Sequence, residues 1–154
     1  MTAVLDADVL NDAYRTIHVL NEILKSELSG VVRYTHYSLV IMGPNRIPLV
    51  TFMQSQAAES LLHAQQAGEI LTGLGGRPEQ GIAPFGESHD CEIEQLLRAS
   101  IDHERTALNL YRDLLACAVS QQSVYLEEFA RGQIGAEEKH LLELNKMLRD
   151  YSIK

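Results

Sequence analysis

Ile134-Gly135-Ala136-Glu137-Glu138-Lys139-His140-Leu141-Leu142-Glu143-Leu144 is the stretch on which the fold turns. Wound as an α-helix, it puts Ile134, Glu137, His140, Leu141 and Leu144 on one face, because residues three and four apart are neighbours there. The apolar stripe extends back through Ala130 and Phe129 and forward to Leu148. A carboxylate and an imidazole therefore stand in a row that otherwise belongs to a core.

The same anomaly occurs three more times. Glu27 lies among Leu20, Ile23, Leu24, Val31 and Tyr34 at helical steps. Glu104 lies among Leu97, Ile101, Ala107, Leu108 and Tyr111. Glu59 precedes His63 by four residues, with Phe52, Leu62 and Gln66 around them. An ionised carboxylate buried alone costs several kcal/mol or is forced to hold its proton. Four such residues facing one another make a tolerable core only if cations neutralise them. Carboxylate oxygens with imidazole nitrogens suit a pair of iron or manganese ions, with zinc as a further substitute. The expected set is a Glu from each of two helices plus a Glu and a His on each of the other two.

Spacing adds a second argument. From Glu27 to His63 is 36 residues, and from Glu104 to His140 is also 36. The chain reads as two helical hairpins that would set two half-sites against each other by pseudo-two-fold symmetry. The repeat is broken at one point. Glu137 stands three residues before His140, but the residue three before His63 is Ser60, and Glu59 is one helical step of ~100° away. Either Glu59 bends in as a bridging ligand or the first half-site is incomplete.

Proline and glycine mark the ends of the helices. Pro44 and Pro48 flank one connector; Pro78 and Pro84 lie in a second, Gly73–Glu87, with five glycines. Four helices are expected over about Asp8–Met42, Pro48–Thr72, His89–Ser120 and Ser123–Asp150. Short connectors make helices 1–2 and 3–4 antiparallel neighbours. The 15-residue segment Gly73–Glu87 is long enough to run the length of the bundle. The expectation is an all-α antiparallel four-helix bundle with one long crossover between helices 2 and 3, forming a single domain over residues 1–154.

Composition bounds the function. Thirteen basic against 21 acidic residues give a net charge of −8, which disfavours nucleic acid or an anionic membrane as partner. The longest apolar runs, such as Leu39–Met42, are too short to span a bilayer. The first ten residues include Asp6 and Asp8 and no basic stretch, so no secretory leader is expected. Two cysteines, Cys91 and Cys117, make neither a disulfide framework nor a cysteine metal cluster. They are expected to pack as small apolar residues in a reducing cytoplasm.

In these features the chain resembles the bacterioferritin branch of the ferritin-like di-iron superfamily. The likeness covers about Ile17 to Leu148. It rests on Ser26-Glu27-Leu28 with Tyr34, His63-Ala64 leading to Leu74-Gly75-Gly76, Glu104, and Glu137-Glu138-Lys139-His140. The resemblance implies a ferroxidase that oxidises Fe(II) with O2 or peroxide for storage or detoxification, assembled as a homo-oligomer from dimer to cage. It implies that Glu27 and His63 ligate one iron, that Glu104 and His140 ligate the other, and that Glu137 bridges. The second bridge falls on Ser60, so Glu59 substitutes for it. Tyr34 matches an aromatic beside the metals. Haem is not expected, because Leu61 stands where that family has its methionine ligand. Little chain follows His140 to form a fifth helix. Two alternatives stay open: a di-metal oxidase or peroxidase without a cage, and a bundle that has lost its metal and serves as an interaction module.

Some residues have plainer readings. Glu94 and Glu138 are expected on the solvent face, His18 and His89 at the surface, and His36 and His103 as satisfied polar residues beside the stripe, or else as supports behind the metal ligands. Gly132 and Gly135 inside the fourth helix are expected to permit close helix packing, or else a local distortion of the helix near the metals, since glycine there costs up to ~1 kcal/mol each.

Overall fold

The computed structural model describes residues 7–86, 92–149 and 151. Four helices account for most of them: α1 Ala7–Val40, α2 Arg46–Gly73, α3 Ile93–Ser120 and α4 Val124–Arg149. Helix α1 packs on α2, α3 on α4, and α1 on α3. By contrast, among the described residues no Cα of α2 lies within 8 Å of one of α4. This is the four-helix bundle that the carboxylate-bearing stripes predict.

Two helix starts differ from expectation by more than one residue. Helix α2 begins at Arg46, so Pro48 lies inside its first turn. A proline is tolerated there because that N–H has no intrahelical acceptor. The Arg46 guanidinium donates to the carbonyls of Ser38 and Ile41 and so satisfies the open end of α1. Helix α3 begins at Ile93, not His89: Glu92 before it is extended, with φ −71° and ψ 126°. His89, Cys91 and Asp150 lie outside the described residues.

Helix α2 ends where Gly75 takes φ +80° and Gly76 N–H donates 2.9 Å to the Leu71 carbonyl. That reversal launches the crossover, which is fastened along α1. Asn21 Nδ2 donates to the Arg77 carbonyl at 3.2 Å, and its Oδ1 accepts from Glu79 N–H at 2.9 Å. Further along, Lys25 pairs with Glu79 at 2.9 Å and the Lys25 carbonyl accepts from Ala83 N–H. The Arg33 guanidinium then lies over the Phe85 ring at 4.8 Å. The segment thus follows α1 from Asn21 to Arg33, as a long crossover must.

The core is in two parts. One cluster joins Leu20, Ile23, Leu71, Leu114, Cys117 and Ala130, with their neighbours, near one end of the bundle. The other joins Tyr34, Ile41, Met53, Leu97, Ile101 and Leu144 near the opposite end. Glu27, Ser60, His63, Glu104 and Glu137 fall between them in sequence on their helices, and all five are buried. A polar layer therefore crosses the middle of the bundle. Cys117 packs as a small apolar residue, as expected. Gly132 and Gly135 do not mark close packing, because a Cβ at either would meet nothing within 4 Å. No described helix is long and apolar enough to cross a membrane.

Candidate metal centre

Each helix delivers one part of the polar layer. His63 Nδ1, from α2, lies 3.3 Å from Glu27 Oε1 and 3.4 Å from Glu137 Oε1. His140 Nδ1, from α4, lies 3.2 Å from Glu104 Oε2 and 3.5 Å from Glu137 Oε2. Two triads result, Glu27–His63–Glu137 and Glu104–Glu137–His140, each with ligand atoms within 4.8 Å of one another. Glu137 belongs to both and turns one oxygen toward each. This donor set, three carboxylates and two imidazoles converging on two points, fits a pair of hard to intermediate divalent cations.

Two tyrosines brace the outer carboxylates across the α1–α3 seam. Tyr34 O–H donates to Glu104 Oε1. Tyr111 O–H donates to Glu27 Oε1 at 2.7 Å. Both rings are fully buried. Burial first, and then the adjacent carboxylates, hold both phenols well above their ordinary range, so they remain protonated donors.

Without cations, protons balance the charge. Burial pulls the His63 imidazole down, but its hydrogen bonds to Glu137 and Glu27 outweigh that and hold it up at about 10. His140 is likewise held at about 10, because Glu104 and Glu137 outweigh burial. Glu104 is raised, chiefly by its burial. Burial also pushes Glu137 upward, but hydrogen bonds from His140 and His63 prevail and leave it lowered. Two imidazolium ions thus stand among the carboxylates, occupying the electrostatic role that metal ions would take over.

Glu27, His63, Glu104, Glu137 and His140 are brought together; Glu59 is not in either triad. Its Oε2 lies 3.1 Å from Nε2 of His140, on the far side of the ring from Nδ1, and its side chain is 38% exposed. The one-step offset explains this: ~100° of helix rotation carries Glu59 from the bundle axis to the α2–α4 seam. Ser60 is the inward residue, buried, with its Oγ 2.7 Å from where a Cβ on Gly30 would stand. His103 Nε2 reaches the same point at the same distance. His103 is buried edge-on to Tyr34. His36 is exposed. Glu94 and Glu138 pair on the surface with Arg98 and Arg112.

Tyr111 is the site residue that the apolar stripe concealed. Its signal lies in the repeat: adding 77 to a residue number in the first hairpin gives its mate in the second. Glu27 maps to Glu104, Tyr34 to Tyr111, His63 to His140 and Ser60 to Glu137. A tyrosine seven residues after each outer glutamate could be read from that alone.

Comparison with known proteins agrees with this geometry. Residues 17–153 match the ferritin-like domain family. No curated protein matches the sequence significantly. Among solved structures, a ferritin-like diiron-carboxylate protein from Bacillus anthracis superposes with a TM-score of 0.85 at 25% identity, covering 89% of this chain and 97% of that one. Rhodobacter capsulatus bacterioferritin superposes at 0.77 with 22% identity, covering 90% and 86%. A dodecameric thioferritin from Bacteroides fragilis superposes at 0.83 with 21% identity, covering 91% and 88%. With the family matched over most of its length, and with a di-cation donor set at the middle of a four-helix bundle, the chain belongs to the ferritin-like domain family.

Proposed function

We propose that this protein binds two Fe(II) ions per chain as substrate and oxidises them for storage or detoxification. Glu27 and His63 hold one ion, Glu104 and His140 the other, and Glu137 joins them. The carrying observation is the pair of triads that share Glu137. Each Fe(II) gives up one electron; O2 takes both with two protons to form H2O2, or peroxide takes both with two protons to form two waters. The residues' own work is to bind and orient. Glu carboxylates favour the more highly charged ion and so the oxidised product. Tyr34 and Tyr111 fix Glu104 and Glu27. Ion binding displaces the protons on His63 and His140.

Manganese and zinc suit the same donors. Haem held through the bacterioferritin branch's methionine does not fit: Leu61 stands at that position, exposed on α2, and has no ligand atom. Homo-oligomeric assembly in the cytoplasm follows the family reading, and the Bacteroides fragilis relative is described as dodecameric. Stepwise anaerobic loading with Fe(II), followed by exposure to O2, should give a fast oxidation that saturates near two irons per chain. Glu104→Ala should abolish it. A wild-type protein with no saturable fast phase would refute the proposal and favour a bundle that keeps its fold for interaction alone.

A further inference from the structure

The internal repeat is broken at two adjacent positions, and the breaks have unequal consequences for the two half-sites. The first hairpin reads Glu59-Ser60-x-x-His63, and the second reads Ala136-Glu137-x-x-His140. At the inner position, Ser60 corresponds to Glu137 in the repeat. The sole inner carboxylate, Glu137, serves both histidines almost equally, at 3.4 and 3.5 Å. That break lowers the charge of the whole centre without favouring either side. At the outer position, Glu59 corresponds to Ala136 in the repeat. Glu59 crosses the α2–α4 seam to accept from Nε2 of His140 at 3.1 Å. The mate of Glu59 is Ala136, whose methyl group can accept nothing, so His63 receives no such support from the repeat.

Two other supports recur in both halves. Each histidine turns Nδ1 toward its carboxylates, and each outer glutamate takes a tyrosine hydroxyl. Glu59 on Nε2 of His140 is thus a support that the repeat does not supply to His63. A carboxylate on the far nitrogen of a ligating histidine fixes its tautomer, orients the ring and raises its basicity; losing such a partner costs 10–100-fold in metal affinity. Glu59 also adds a negative charge beside one half-site only.

We infer that the centre fills in a fixed order: the first divalent ion is captured by Glu104, Glu137 and His140, and the second, on Glu27 and His63, binds about 10–100-fold more weakly, with Glu59 as the positioning residue that sets the difference. This rests on the metal-binding reading above and adds the ranking of its two places. A weakly held second ion makes two-electron oxidation depend steeply on free iron, while a single ion stays bound at low supply.

The test is a titration of the metal-free full-length protein with Co(II), anaerobically, read by its visible ligand-field bands and by calorimetry. Two steps about 10–100-fold apart are expected in the wild type. His63→Ala should remove the weak step and keep the tight one; His140→Ala should remove the tight step. Glu59→Gln should weaken the first step 10–100-fold and merge the two. Ala136→Glu should strengthen the second step by a similar factor, and because it adds a group its outcome does not hinge on a destabilised variant. Equal steps in the wild type, no response to Glu59→Gln, or a tight step that survives His140→Ala would overturn the ordering while leaving the metal centre standing. No saturable Co(II) binding would overturn the metal reading itself and the ordering with it.

Discussion

The α1–α3 seam and the α2–α4 seam enclose the same polar layer in opposite ways. Helices α1 and α3 are in contact, and their seam is closed by two buried tyrosine hydroxyls donating to Glu104 and Glu27. Helices α2 and α4 stand further apart, and side chains alone reach across: Gln133 to Gln66 at 3.0 Å, His63 to Glu137, and Glu59 to His140. Near one end this seam opens into a cavity of about 630 Å³ whose lining includes Gln66, Ile70, Leu126 and Phe129. Gln133 Oε1 is buried beside the seam with no hydrogen-bond partner among the described residues. The difference teaches a division of labour. The closed seam fixes the outer carboxylates with neutral donors, and the open seam carries the histidines and the shared carboxylate, whose partners would change if ions took the place of the protons as proposed.

Removing the shared group should break this comparison most severely. Glu137→Ala takes one member from both triads and the link between α4 and His63. Cation binding should weaken by more than the ~10–100-fold that an outer partner is worth, and two-ion stoichiometry should disappear in a calorimetric Co(II) titration. Retention of two equivalents at unchanged affinity would show that the open seam does not hold the ions.

The metal-free protein should also respond to pH through that seam. His63 and His140 are held at about 10 in the folded chain against an ordinary 6.5. Between those values the folded state binds more protons than the unfolded, so stability falls as pH rises. Their contribution is complete below pH 6.5 and lost by about pH 10, and is on the order of a few kcal/mol. Thermal melts of the metal-free chain should therefore move downward over that window, and saturating Co(II) should flatten the trend. A melting temperature that rises from pH 7 to 9.5 without metal would refute the paired imidazolium ions.

These two effects depend on residues whose legibility differed. Glu27, Glu104, Glu137, His63 and His140 stood out because charge on an apolar stripe is physically expensive, and a helical period of 3.6 fixes which residues share a face. The crossover was legible from its prolines and length. Glu59 was harder. Period alone places it near the inner face but cannot say which side of His140 it meets, since that depends on how far α2 stands from α4. Tyr111 was concealed because a tyrosine is at home in an apolar stripe, and only its hydroxyl, bonded to a glutamate 84 residues away, gives it a polar task. Gly132 and Gly135 misled for a related reason: glycine in a helix signals a close neighbour only when some element is there.

Tyrosine substitutions sharpen the comparison from the closed side. Tyr111→Phe and Tyr34→Phe each remove one donor from an outer carboxylate. Each should weaken one Co(II) step by about tenfold, the lower end for an outer partner, with little change in helicity by circular dichroism. The two losses should be of similar size, on different steps. If both variants weaken the same step, the tyrosines do not brace separate half-sites.

The smallest effect contrasts how crowded the two sides are. At Gly30, on α1, an added methyl would stand 2.7 Å from both Ser60 Oγ and His103 Nε2 and 3.3 Å from Ser60 Cβ. His103 cannot retreat freely, because its ring is packed edge-on against buried Tyr34 at 5.8 Å. Such overpacking costs about 1–3 kcal/mol, against a gain of up to ~1 kcal/mol for alanine over glycine in a helix. At Gly132, on α4, a methyl meets nothing within 4 Å, so the helical gain stands alone. Gly30→Ala should thus lower the melting temperature by about 2–4 °C, and Gly132→Ala should raise it by a similar or smaller amount. Two shifts of the same sign would show that the crowding over Gly30 relaxes at no cost, and that the closed seam is less tightly built than its contacts indicate.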